Sequence, residues 1–152
     1  MEIMEWERDD YLISTDKSKI DLDAVHNFLS KSYWAEGISK QVIEKSIENS
    51  FCFGVYFGER VIGFGRVVTD YATFAYLADV FIVPEERGKG LSKWLVQVII
   101  GHPRLQGLRR FTLATKDAHG LYAQFGFKPF GKPERWMERH DPDVYRNPVG
   151  SK

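Results

Sequence analysis

The chain has 152 residues, the size of one ordinary domain. Its 21 Lys and Arg balance 21 Asp and Glu, which argues against nucleic-acid binding through a general basic field, and 43% hydrophobic with 14% aromatic residues exclude a disordered chain. The lone cysteine, Cys52, excludes an intramolecular disulfide framework and a cysteine-rich zinc site. Surface scaling gives roughly 7,900 Å² exposed when folded against roughly 25,500 Å² for the extended chain, enough burial for one core.

The first ten residues carry Glu2, Glu5, Glu7, Asp9 and Asp10, unlike the basic start and apolar stretch of a secretory signal. The apolar run Phe74–Val83 is interrupted by Asp79 and falls short of a membrane span. The expectation is a cytoplasmic protein with no membrane and no nucleic-acid partner, organised as one domain over 1–152, with an irregular tail from about Asp141.

Tyr11–Ser14 reads as a first strand. Asp21 caps a helix whose inner stripe is Leu22, Val25 and Leu29, with Tyr33 at its end, and Ile20 with Val25 forms a hydrophobic staple. After the break at Ser32–Gly37, Ser39 caps a second helix, with Ile38 and Ile43 as its staple. Phe51–Phe57 alternates with period two, Gly58-Glu59 turns into Val61–Thr69, and Asp70–Ala72 turns into Thr73–Val83. These form an antiparallel meander.

The period then changes. Leu91, Trp94, Leu95, Val98 and Ile99 line one helix face, closed by Gly101 and Pro103. A strand over Phe111–Thr115 follows. Next comes a short helix, capped at Asp117 or a neighbour, through Gln124 and stopped by Gly126. Phe127–Phe130 and Glu134–Glu138 read as two final strands. The order β-α-α-β-β-β-α-β-α-β-β predicts an α/β (α+β) fold.

The stretch Phe81-Ile82-Val83-Pro84-Glu85-Glu86-Arg87-Gly88-Lys89-Gly90-Leu91-Ser92 is a strand, a glycine-containing turn and a helix start. Unpartnered N–H groups and the helix dipole suit such a turn to a phosphate. The spacing does not supply G-x-x-x-x-G-K-[ST], and Lys93 stands where a dinucleotide G-x-G-x-x-G needs its last glycine. Taken alone, Gly88 and Gly90 fit plain turn chemistry equally well.

The segment Arg87-Gly88-Lys89-Gly90-Leu91-Ser92 resembles the acyl-CoA signature [QR]-x-x-G-x-[GA] of the GCN5-related N-acetyltransferase (GNAT) superfamily, with Ser92 in place of the final small residue. The lead-in Leu77–Pro84 is similar too. Leu121-Tyr122-Ala123-Gln124-Phe125-Gly126-Phe127 resembles the family's second hallmark, 35 positions after Arg87 when counted at Tyr122. The likeness covers residues 10–140. The region Pro133–Tyr145 looks like a subgroup of bacterial acetyltransferases of undetermined substrate.

The resemblance implies a mixed sheet of about seven strands flanked by four helices, with acetyl-CoA as co-substrate and no metal. It places the coenzyme's pyrophosphate on the amides of Arg87, Gly88, Lys89, Gly90, Leu91 and Ser92, with Lys89 and Lys93 as charge partners. The pantetheine arm would run along the backbone of Phe81, Ile82 and Val83. An N–H near Val80 or Phe81 would polarise the thioester carbonyl, and Tyr122 would be the general acid. Asp79 and Glu36 are the candidate bases, with a structural hydrogen bond as the other role for Asp79. Tyr33 and Trp34 would line the acceptor pocket. Strand alternation puts Asp79 on the face of Leu77 and Phe81 unless a bulge resets the register. Cys52 reads as inert core and His119 as a helix-start residue, and His26, His102 and His140 lack metal-ligand spacing.

The implied activity is direct acetyl transfer to a primary amine of a small molecule. The alternatives are acetylation of a protein N-terminus or lysine, and a non-catalytic acyl-CoA-binding module. A homodimer is compatible with the sequence.

Overall fold

Six strands form one sheet, adjacent in chain order: β1 (Glu5–Arg8), β2 (Tyr11–Ser14), β3 (Phe51–Phe57), β4 (Arg60–Thr69), β5 (Phe74–Ile82) and β6 (Arg110–Leu113). The computed structural model describes residues 2–146. β1 to β5 pair antiparallel; only β5 and β6 run parallel.

Four helices cover the two faces: α1 (Leu22–Leu29), α2 (Lys40–Glu48), α3 (Leu91–Gly101) and α4 (His119–Ala123). The Asp21 carboxylate accepts from Ala24 N at 3.2 Å, and Ser39 Oγ accepts from Val42 N at 3.2 Å, so both expected caps form. β3 shows how the sheet divides its cores. Phe51, Phe53 and Val55 pack with Leu91, Leu95 and Ile99 of α3, while Cys52 and Tyr56 pack with Val25, Leu29, Ile43 and Ile47 of α1 and α2. A strand buried on both faces reads as a continuous apolar run, and Phe-Cys-Phe-Gly-Val-Tyr-Phe is one.

Two expectations need correction. β1 was not foreseen: Glu-Trp-Glu-Arg is polar, yet it pairs along β2 and turns Trp6 toward Phe53 and His102. The two final strands are not strands among the described residues. Pro133–Arg135 is a 3-10 turn, because Pro133 brings no N–H and a fixed φ, so the sheet has six strands rather than about seven. Of the positions expected to cap the last helix, Asp117 or a neighbour, the neighbour Ala118 takes the place, with no side-chain cap bond. Thr115 Oγ1 accepts from Ala118 N at 3.1 Å.

Two irregularities shape the site. β5 pairs with β6 only over Phe74–Leu77, after which the two strands part. Between the pairs Phe64–Phe81 and Arg66–Ala78, β5 carries one residue more than β4. This bulge puts Asp79 at φ +56°, a left-handed conformation.

Candidate active site

Where β5 and β6 separate, a cleft of ≈ 750 Å³ opens. Ala78, Asp79 and Val80 line it from β5, Leu113 to Ala118 from β6 and the loop after it, and Tyr122 of α4 joins the lining. Tyr33 and Trp34, from the loop after α1, make the rim. The sequence-predicted Asp79, Tyr122, Tyr33 and Trp34 are therefore brought together.

The bulge re-aims Asp79. Its Oδ2 accepts from Arg66 Nε at 2.8 Å and its Oδ1 from Trp34 Nε1 at 2.9 Å. Arg66 also donates from a terminal nitrogen to Ser50 Oγ at 3.1 Å. Both partners of this ion pair are largely buried, at 18% and 12% side-chain exposure, so each charge depends on the other. The rim is tied across the opening as well: Tyr33 Oη accepts from Lys116 N at 3.2 Å, and the Lys116 ammonium lies 5.3 Å from the Tyr33 ring centroid.

Tyr122 is 8% exposed. Burial pushes its phenol up to about 12, with the neighbouring Tyr33 adding to the rise. It holds its proton at neutral pH and can donate a hydrogen bond.

Glu36 is not in this cleft. It lines an adjoining cavity of ≈ 230 Å³ with His140, Asp141 and Tyr145, which shares Tyr33 and Trp34 with the main opening. Glu138 and His140 do line the cleft and were not foreseen; Glu138 closes the Glu134–Glu138 segment expected to be a strand, and His140 follows it. Arg66 was missed too. Its signal was a charge inside an apolar strand, placed by the Asp70–Ala72 turn one pair from Asp79.

The glycine turn lies at the far end of β5. Gly88 and Gly90 have φ of +82° and +76°, and a Cβ at either would meet nothing within 4 Å. The first turn of α3 has no side-chain cap, so its amides face outward unclaimed by a side chain. Buried Glu86 braces the turn, accepting from Tyr11 Oη at 2.7 Å and Lys89 Nζ at 3.1 Å; these bonds hold its carboxyl below the usual range. Sequence reading passed over Glu86, an acid within a basic turn. Arg87 Nε donates to Ile82 O at 3.0 Å. Lys93 is exposed, Ser92 half-buried, and Leu91 anchors α3 in the core. Phe81 stacks on Phe28 at 3.9 Å, and Val83 N donates to Ile62 O, so these side chains and this amide serve the fold.

Cys52 is buried and its thiol is pushed up to about 11 by burial, which leaves it unreactive. His119 opens α4 and is exposed, and no group of three metal-ligating residues occurs among the described residues.

The pattern of the Acetyltransferase (GNAT) family matches residues 2–127. The chain belongs to the GNAT family. A candidate acetyltransferase of Gibberella zeae is 34% identical over 149 residues, covering 82% of this chain and 83% of the relative. A crystal structure of a GNAT-family protein from Xanthomonas campestris pv. campestris is 49% identical, with a TM-score of 0.87 over 89% of this chain and 96% of that one. A GNAT acetyltransferase from Elizabethkingia anophelis, solved with acetyl-CoA bound, shares the fold at 13% identity, with a TM-score of 0.60 over 86% of this chain and 88% of that one. The mixed sheet, the parting of β5 from β6 and the glycine turn opening α3 are thus features of a GNAT fold here.

Proposed function

We propose that this GNAT chain moves an acetyl group from acetyl-CoA to a primary amine of a small molecule. The observation that carries the reading is the cleft between β5 and β6 with Tyr122 in its wall. The pyrophosphate rests on the amides of Arg87 to Ser92, where open space surrounds Gly88 and Gly90. The pantetheine arm runs along the edge of β5 that β6 leaves, at Phe81 and Ile82, and passes Val83, whose amide is already bonded to Ile62 O. The thioester carbonyl then meets a backbone N–H at Val80 or Phe81, a preorganised donor for the developing oxyanion.

The amine nitrogen attacks the carbonyl carbon through its lone pair. The tetrahedral intermediate collapses, the C–S bond breaks, and the nitrogen gives up a proton as the thiolate leaves. Tyr122, at about 12, is some three to four units above an ordinary thiol near 8.5, so full transfer from it is uphill. Its role is to donate a hydrogen bond to the departing sulfur, while the proton released by nitrogen balances the charge.

Asp79 acts as a positioning residue. Both oxygens already accept hydrogen bonds, and the Arg66 ion pair pins the left-handed backbone directly before the Val80 N–H. The acceptor is taken as the free amine, with Tyr33 and Trp34 against it and Glu36 in the outer cavity drawing cations toward the opening. Release of free CoA thiol is the assay, with purified chain, acetyl-CoA and a panel of small amines, an N-terminal peptide and a lysine peptide. Transfer to small amines above the peptides is expected. Tight acetyl-CoA binding with no transfer to any amine would sink the reading.

A further inference from the structure

From residue 128 to residue 143 every side chain is exposed, although the segment contains Phe130, Trp136 and Met137. Met137 is 97% exposed, the most of any large hydrophobic residue in the described chain. Phe130 stacks on Trp136 at 4.2 Å, the Arg110 guanidinium lies 4.9 Å from the Trp136 ring, and Met137 follows Trp136 in the chain.

The charges around these apolar groups are antisymmetric on reversal. Reading outward from the bond between Trp136 and Met137, Arg135 mirrors Glu138, Glu134 mirrors Arg139, and Lys132 mirrors Asp141. Three mirror pairs of opposite sign flank an apolar centre. A segment with this pattern is complementary to itself when two copies lie antiparallel. A twofold axis imposes that arrangement, since residue i meets j and j meets i.

We propose that Lys132–Asp141 is a homodimer contact in which a second copy of this chain lies antiparallel across the same segment. The axis passes between Trp136 and Met137, which pack on the partner's Met137 and Trp136. Each mirror pair then becomes two intermolecular ion pairs. The 3-10 turn at Pro133–Arg135 makes the contact one of side chains over that stretch. A 3-10 turn rises about 2.0 Å per residue against about 3.3 Å in extended chain, a difference that Glu and Arg side chains can span. Glu138 and His140 line the cleft, so the contact adjoins the site without depending on what the site does.

The test uses two single charge reversals at exposed positions, E134R and R139E. Sedimentation equilibrium should show the wild-type chain as a dimer of twice 17.6 kDa. In either variant alone, like charges face each other twice across the axis, and the dimer dissociation constant should rise on the order of tenfold or more. In a one-to-one mixture, the two basic side chains of the E134R chain face the two acidic side chains of the R139E chain, and dimers should return as the heterodimer. Raised salt should weaken the wild-type dimer. A wild-type chain monomeric at about 100 μM, variants that dimerise as tightly as wild type, or a mixture that fails to restore the dimer would each overturn the proposal.

Discussion

Arg66 on β4 and Asp79 on β5 meet at 2.8 Å across a bulge that forces Asp79 to φ +56°. The pair stands in place of a ladder rung: the backbone leaves regular pairing there, and the side chains close the gap. Asp79→Asn keeps a residue that tolerates the left-handed region but removes the charge, leaving Arg66 buried without its counter-ion. Chemical denaturation should show a loss of about 1–3 kcal/mol. Activity should fall while the pH profile of kcat/KM keeps its shape and follows the amine's own ionisation. A profile whose limb moves with the substitution would make Asp79 the base instead.

Tyr122→Phe removes one hydroxyl and leaves the ring packed near Phe127. It should lower kcat by at least about tenfold with little change in acetyl-CoA affinity. Because burial holds the phenol at about 12, the wild-type rate should show no fall attributable to Tyr122 up to about pH 11. Stopped-flow thiol release across pH checks both points, and an unchanged kcat would remove the residue from the chemistry.

At Gly90, φ is +76° and the space around the absent Cβ is empty of protein. Gly90→Val therefore meets backbone strain but no clash within the fold. It should cost on the order of 1–2 kcal/mol of stability, while acetyl-CoA affinity should fall tenfold or more because the branched side chain fills the space over the α3 amides. Calorimetric titration of acetyl-CoA reads the second effect; normal affinity would move the pyrophosphate elsewhere.

His102 is 1% exposed, accepts from Arg104 N at its Nδ1, and has Phe51, Phe53 and Trp6 around its ring. Burial lowers its pKa, with the Arg104 charge adding to the fall. The folded state therefore binds this proton less readily than the unfolded chain. The contribution to stability is full above the ordinary histidine value near 6.5 and is lost as pH falls below it. Urea midpoints should drop between pH 7 and 5 in the wild-type chain and drop less in His102→Gln. Equal slopes for the two proteins would refute the assignment.

Much of this was readable residue by residue. Asp21 and Ser39 announced α1 and α2 because a cap is a local bond between neighbours, and the period-two pattern of β3 announced a strand, though not that both its faces are covered. The glycine turn was readable for the same reason, since a positive φ selects glycine at the position itself. The bulge was legible only as a condition on which face Asp79 takes, because it depends on register between two strands. The pairing of Asp79 with Trp34, 45 positions apart, was not legible, since only the folded loop after α1 creates it. β1 was hidden by its polarity: its stability comes from β2 and from one inward tryptophan, not from its own pattern. The C-terminal segment misled in the opposite sense, with strand-like composition but Pro133 in the way.

The parting of β5 from β6 has a thermodynamic consequence. The sheet is short of a strand over Ala78–Ile82 on the β6 side, and a bound pantetheine arm would complete it. Folding and ligand binding are then linked equilibria, and the chain's melting temperature becomes a function of coenzyme concentration. At a hundred times the dissociation constant the added stability is about 2.7 kcal/mol. That increment should also appear as slowed amide exchange along the far half of β5, in a protein whose most stable state includes its co-substrate.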